Sequence, residues 1–185
     1  MIYILVFSIV IRLLVWAVFP ELNFPDLKNY IDAGQSLFTV GTLDQHHVMP
    51  IYPIITYILN DRDYLTFLGI FLSVFNVFMI YQVSYLIFGS DRVSLIAMAM
   101  WSIYPFSIFY SISGLTETLY VSLLVTFFYF MYKHKFWLAF IIAAISILVR
   151  PSLELFFPAV IFLFSFTIFK SGWLNSSFNV AKYLL

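Results

Sequence analysis

The sequence predicts an all-α polytopic membrane protein with about six transmembrane helices, plus interfacial helices in a first outer loop over positions 20–63. Three observations carry this expectation. The chain has 185 residues and is 63% hydrophobic, with a mean hydropathy of +1.00, whereas soluble domains are typically about half apolar or less. Several apolar runs approach the roughly 18 to 20 residues that a spanning helix needs. The charged residues, 10% of the chain, gather at the ends of those runs and in the first loop.

The first span, about Ile2 to Phe19, stops at Pro20. It lacks a basic leader and a small-residue cleavage site, so it is expected to be retained rather than removed as a signal peptide. The stretch from Glu21 to about His47 is polar. Within it Leu27, Tyr30, Ile31, Gly34, Leu37 and Phe38 recur at helical spacing, while Lys28, Asn29, Asp32, Gln35 and Ser36 take the other face. That pattern predicts an amphipathic helix lying on a membrane surface. Met49 to Leu59 is apolar but too short to cross, and reads as interfacial or re-entrant. Asn60 to Asp63 is a polar break.

The second span runs from about Tyr64 to Phe88 and ends at Gly89-Ser90-Asp91-Arg92. The third, about Val93 to Tyr110, carries Pro105, which predicts a kink near its end. Ser111-Ile112-Ser113-Gly114 reads as a turn. The fourth span, about Leu115 to Tyr132, closes on Lys133-His134-Lys135. The fifth, about Phe136 to Val149, closes on Arg150-Pro151, and the sixth covers Ser152 to Phe169 with Pro158 inside. The chain thus divides into a transmembrane module over 1–169 and a tail over 170–185 in which a further helix can begin. It shows neither a repeat nor a low-complexity tract.

Orientation follows from the bases, which favour the cytoplasmic side. With the N-terminus in the cytoplasm, Arg92, Lys133, Lys135 and Lys170 lie inside, against Asp91. The outer side then holds Glu21, Asp26, Asp32, Asp44, Asp61, Asp63, Glu117 and Glu154, against Lys28, Arg62 and Arg150. The expected location is a cell membrane, a bacterial inner membrane by the compactness of the loops, with the first loop outside. The zero net charge suggests no nucleic-acid partner. The absence of cysteine excludes disulfides, thiolate metal sites and cysteine nucleophiles. His46-His47 has no third ligand at metal-binding spacing, so no metal is expected. The sequence also lacks a Gly-rich phosphate loop, a nucleophile elbow and an H-E-x-x-H pair.

A few ionisable residues stand out. Asp26, just outside the first span, sits where a lipid-linked substrate arrives and can serve as a general base on an acceptor hydroxyl; a solvated helix N-cap is the plainer alternative. Glu117 opens the fourth span at the hydrocarbon edge, where a carboxylate is costly unless functional, although it also complements the helix dipole. Arg150 can hold a phosphate bidentately, or simply snorkel to the interface. Glu154, one turn later, is a possible partner for it. Arg12 is mid-span and is expected to pair inside the bundle. Lys133-His134-Lys135 reads as a topology anchor facing anionic headgroups, and Tyr52, Tyr57 and Tyr64 as interfacial aromatics.

The order of several short motifs is also informative. Asp26-Leu27-Lys28-Asn29-Tyr30 with Ala33 is followed by Pro50-Ile51-Tyr52-Pro53, by Phe88-Gly89, by Tyr104-Pro105, by Thr116-Glu117 and by Arg150-Pro151. From about Met1 to Phe169 this resembles the GT-C class of integral-membrane glycosyltransferases, which use polyprenyl-phosphate sugars and include protein O-mannosyltransferases and the lipid A aminoarabinose transferase. The resemblance implies Asp26 as catalytic base, Glu117 as the acid at the outer start of the fourth span, and Arg150 near the donor phosphate. Lys28, Tyr30 and Tyr52 are implied on the substrate side. Two departures stand beside it: many relatives carry a second acid where this chain has Leu27, and such enzymes are usually much longer, so the chain reads as a fragment, a truncated frame or a minimal relative.

The implied activity is an inverting transfer of a sugar from a polyprenyl-phosphate donor to a lipid, glycan or protein acceptor on the non-cytoplasmic face. The lipid-linked sugar is a co-substrate, and no cofactor is expected. The other functional classes are a transporter or channel component, which would favour midplane charges and paired halves, and a non-catalytic membrane subunit.

Overall fold

A computed structural model describes residues 1–20, 24–43, 48–151, 159 and 162. Among them the protein is all-helical, as the sequence predicts: α1 (Ile2–Val18), α2 (Pro25–Thr39), α3 (Ile51–Leu59), α4 (Arg62–Phe88), α5 (Asp91–Ser102), α6 (Pro105–Ile112), α7 (Thr116–Tyr132) and α8 (Phe136–Val149). The expected sixth span apart from Ala159 and Phe162, the tail, and the residues Glu21, Asp44, His46, His47, Glu154 and Lys170 lie outside the described residues.

Local chemistry sets the boundaries. The Asp61 carboxylate accepts from the Asp63 amide at 2.7 Å and caps α4. Gly89, left-handed at φ 61°, ends that helix, and Ser90 caps the next. The third apolar run is broken rather than merely kinked. Tyr104 is extended, Pro105 begins a new helix, and the two halves diverge by 53°. Proline lacks the amide that would continue α5, and it holds the preceding residue out of helical geometry.

α4 is the hub. It packs on α1, α5, α6 and α7; α8 packs on α7, and α2 pairs with α3. α4 and α6 approach so closely at Gly69 that a Cβ there would overlap the Ser111 carbonyl oxygen. α7 and α8 enclose a small apolar core of Phe127, Met131, Ala139 and Ala143. Elsewhere the polarity is inverted relative to a soluble protein. Ser8, Ser73, Ser94, Ser102, Ser111 and Ser146 are buried in the seams, while Phe71, Ile96, Met100 and Trp137 face outward. Small polar residues let helix backbones approach closely and satisfy their hydroxyls locally.

Arg12 is completely buried at the junction of α1, α4, α5 and α6. Its Nε donates to Ser73 Oγ at 2.8 Å, its Nη1 to Ser8 Oγ at 2.6 Å and to the Ser102 carbonyl at 3.2 Å, and its Nη2 to Ser107 Oγ at 2.9 Å. The expected pairing inside the bundle is therefore met by hydroxyls and carbonyls; among the described residues no carboxylate contacts the guanidinium.

Among the described residues α4 is the one helix long and apolar enough to cross a membrane, and α5 with α6 qualify as a second if taken as one bent span, fewer than the six spans expected. α1 and α8 are apolar but shorter, at 17 and 14 residues.

Candidate functional site

The first-loop helices fold back on the turn that joins α6 to α7. Leu27 is buried against Gly114, and the Phe24 and Phe109 rings meet edge to face, 5.4 Å apart. Tyr52 donates its hydroxyl to the Gly114 carbonyl at 2.6 Å. Thr56 on α3 donates its hydroxyl to the Pro53 carbonyl at 2.8 Å, with the Tyr30 carbonyl of α2 also within reach at 3.1 Å. Asp26 lies between Phe24 and Leu27, so it is brought to the same end of the bundle as the start of α7. It is exposed, and among the described residues it makes no hydrogen bond or ion pair. The N-cap alternative is corrected. Phe24 occupies the cap, Pro25 opens the helix, and Asp26 falls in the first turn, where a carboxylate complements the positive end of the dipole.

Glu117 and Arg150, 33 positions apart, form an ion pair at 2.8 Å between Oε1 and Nη1. The Arg150 side chain is 41% exposed and that of Glu117 is 26% exposed. A pair this open contributes about 0.2–1 kcal/mol in water, so stability alone is a weak reason for it. Glu117 uses only one oxygen here; its Oε2 is buried and unpartnered. Arg150 keeps Nε and Nη2 without a partner among the described residues.

Tyr52 differs from the expected interfacial aromatic and substrate contact. It is 4% exposed and its hydroxyl is engaged by Gly114. Burial, and secondarily Tyr30 and Glu117, push that hydroxyl well above the usual tyrosine range. Its role in this geometry is positional: it holds α3 against the turn that carries Glu117. Tyr57 and Tyr64 are exposed, as expected. Tyr30 is half-buried with its ring edge-on to Tyr52 at 5.0 Å, and Lys28 is exposed.

Below Glu117 lies a cavity of about 350 Å³ between α4, α7 and the broken α5–α6 pair. Its walls include Ser73, Asn76, Trp101, Ser107, Glu117 and Thr118, with Tyr104, Phe106 and Tyr110 supplying aromatic surface. Among the described residues, four atoms on the residues around it are buried without a hydrogen-bond partner: Asn76 Oδ1, Trp101 Nε1, Glu117 Oε2 and Thr118 Oγ1. Buried polar groups are normally satisfied, so four orphans on residues beside one cavity are unusual. Sequence reading missed Asn76 and Trp101. The available signal was an asparagine in the middle of an otherwise apolar 27-residue helix.

No family model, curated protein or solved structure matches this chain. Among the described residues no cluster of three His, Cys, Asp or Glu is placed to hold a metal.

Proposed function

We propose that this protein is an integral-membrane glycosyltransferase that moves a sugar from a polyprenyl-phosphate donor to an acceptor on the non-cytoplasmic side. The observation that carries the reading is the Glu117–Arg150 pair at the mouth of the cavity, at the end of the bundle where Asp26 is exposed. The membrane setting is supported by the inverted polarity: large exposed apolar side chains such as Phe71 and Trp137 form surface that water would penalise. On this reading α1, α4, the α5–α6 pair, α7 and α8 cross or enter the bilayer, and α2 and α3 lie in the outer interface.

Chemically, a phosphate-linked sugar already carries a good leaving group. The acceptor oxygen attacks the anomeric carbon, the bond from that carbon to the phosphate oxygen breaks, and the phosphate leaves with the electron pair. Asp26 takes the acceptor proton. Arg150, whose Nε and Nη2 have no partner among the described residues, steadies the phosphate charge, with Lys28, two residues from Asp26, as a second cation. Glu117 orients Arg150. The displacement inverts the anomeric centre, as in the base half of inverting glycosidases.

The test is transfer from a radiolabelled polyprenyl-phosphate sugar in membranes carrying the full chain. Asp26→Asn should slow turnover by about 10²–10⁴-fold, the usual worth of a general base. Turnover near that of the unaltered protein removes Asp26 from the role, and no transfer by the unaltered protein with any hexose donor ends the reading.

A second reading has one observation in its favour. A broken helix lining a cavity is also a transporter feature. Uptake of labelled free sugar into proteoliposomes without any transfer product would select it.

A further inference from the structure

Two rulers in the bundle measure how deep the Glu117–Arg150 pair sits. The first is the α7–α8 hairpin. One end is a tight turn, Lys133-His134-Lys135, with His134 left-handed at φ 56° and all three side chains exposed. The other end is closed by the ion pair at 2.8 Å. The apolar length between the two charged ends is therefore set by helix geometry. It is about 24 Å from Glu117 to Lys133 and about 22 Å from Lys135 to Arg150, at about 1.5 Å per residue. The hydrocarbon core of a bilayer is about 30 Å thick. The hairpin falls short by about 6–8 Å, and tilting only shortens its reach.

The second ruler is α4. Asn76 Nδ2 donates to the Thr118 carbonyl at 3.3 Å, which sets the first turn of α7 beside Asn76. Asn76 lies about 21 Å along α4 from Arg62, close to the middle of a helix about 40 Å long. Tyr64, Phe67 and Phe71 face outward from the upper turns of α4, so that part of the helix also meets acyl chains rather than water. Glu117 and Arg150 thus lie beneath the level at which α4 enters hydrocarbon.

Both side chains of the pair are nonetheless partly exposed. An exposed charge at that depth is costly unless water or headgroups reach it. At the other end of the hairpin Lys133 and Lys135 can snorkel outward and absorb part of the shortfall. Glu117 and Arg150 hold each other and cannot, so the rest of it falls on the outer leaflet. The exposed face of α8, with Trp137, Phe140 and Leu148, supplies the apolar surface against which lipids stand.

We propose that the α7–α8 hairpin thins the bilayer beside it. Its partner is a phospholipid annulus of short acyl chains, whose outer headgroups are drawn down to Arg150. The inference rests on the membrane setting of the proposed function and does not require sugar transfer.

The test uses the full chain in phosphatidylcholine vesicles with dimyristoleoyl, dioleoyl or dierucoyl chains. The thermal midpoint should be highest in dimyristoleoyl lipid and lowest in dierucoyl lipid. A flat profile, or a maximum in dierucoyl lipid, overturns the proposal, as a water-filled recess in a bilayer of normal thickness would give. Glu117→Gln with Arg150→Leu lengthens the apolar hairpin and should move the optimum toward dioleoyl lipid; an optimum that stays put shows that the pair does not set the thickness and overturns the proposal. A nitroxide on Leu148→Cys and one on Phe71→Cys read the local depth in dioleoyl vesicles. The α8 label should meet a water-soluble nickel chelate more often, relative to oxygen, than the α4 label. At least as much nickel at the α4 label means a flat bilayer, and neither relaxant at Leu148→Cys means that protein covers the face; either result overturns the proposal. Carbonate extraction of cell membranes separates the two readings. Release of the chain removes the membrane setting itself, whereas a retained chain with no preference for short lipids overturns this inference alone.

Discussion

Glu117 faces two ways: Oε1 accepts from Arg150 Nη1 at 2.8 Å, and Oε2 is buried with no partner among the described residues, on a residue that lines the cavity. One carboxylate thus links the open mouth of the bundle to its interior. Glu117→Gln keeps the shape and removes the charge. Transfer activity should fall by about tenfold or more, with the donor KM raised because Arg150 loses its orienting partner. The thermal midpoint should move little, since a half-open pair contributes about 0.2–1 kcal/mol. Steady-state kinetics beside a melting curve decides it; parallel loss of stability and activity would make the pair structural.

Arg12 fastens four helices through hydroxyls and carbonyls. Arg12→Leu strands those acceptors and should lower stability by about 2–4 kcal/mol. Arg12→Lys should also destabilise, because a point ammonium cannot reach Ser73, Ser8 and Ser107 together. Unfolding in mild detergent titrated with SDS measures both, and a lysine variant as stable as the parent would show that charge, not the planar fork, is what the junction needs.

Tyr52 provides a pH signature. Its hydroxyl is held above the usual tyrosine range by burial. A folded-state value raised above the unfolded one means that the stabilisation is intact below the unfolded tyrosine value of about 10 and is lost as pH climbs beyond it. The melting temperature should therefore decline above about pH 10. Tyr52→Phe should be less stable at neutral pH, by about 1 kcal/mol for the lost bond to Gly114, and its alkaline decline should be shallower. Melting curves across that range test both parts.

The chain contains no cysteine, so single cysteines report topology cleanly. Lys28→Cys should react with a membrane-impermeant maleimide on intact cells, and Lys135→Cys only after permeabilisation. Labelling of both from the same side would contradict the proposed orientation.

The helices were legible because apolar runs and their breakers are local. α7 begins one residue after the expected Leu115, and α8 matches Phe136 to Val149. Pro105 announced a kink, but the size of the bend depends on what packs beneath it. The shared location of Glu117 and Arg150 at one end followed from alternation of spans, whereas their direct contact did not. The sequence suggested Glu154 for Arg150, a residue outside those described. Tyr52 misled because an aromatic in a short apolar helix reads as interfacial, and only the docking of α3 on Gly114 buries it. The cavity was invisible for a related reason. Asn76, Trp101 and Thr118 come from three helices and meet only because one run is broken.

Ser73 belongs to two systems at once, since the oxygen that receives Arg12 sits in a residue that also borders the chamber. A change at this position therefore alters the chamber's lining and the helix junction together. Asn76 and Thr118 are tied by one bond from the Asn76 amide to the Thr118 carbonyl, so substitution there reaches fewer helices, and sequence variation should gather at those two positions while the serine stays put.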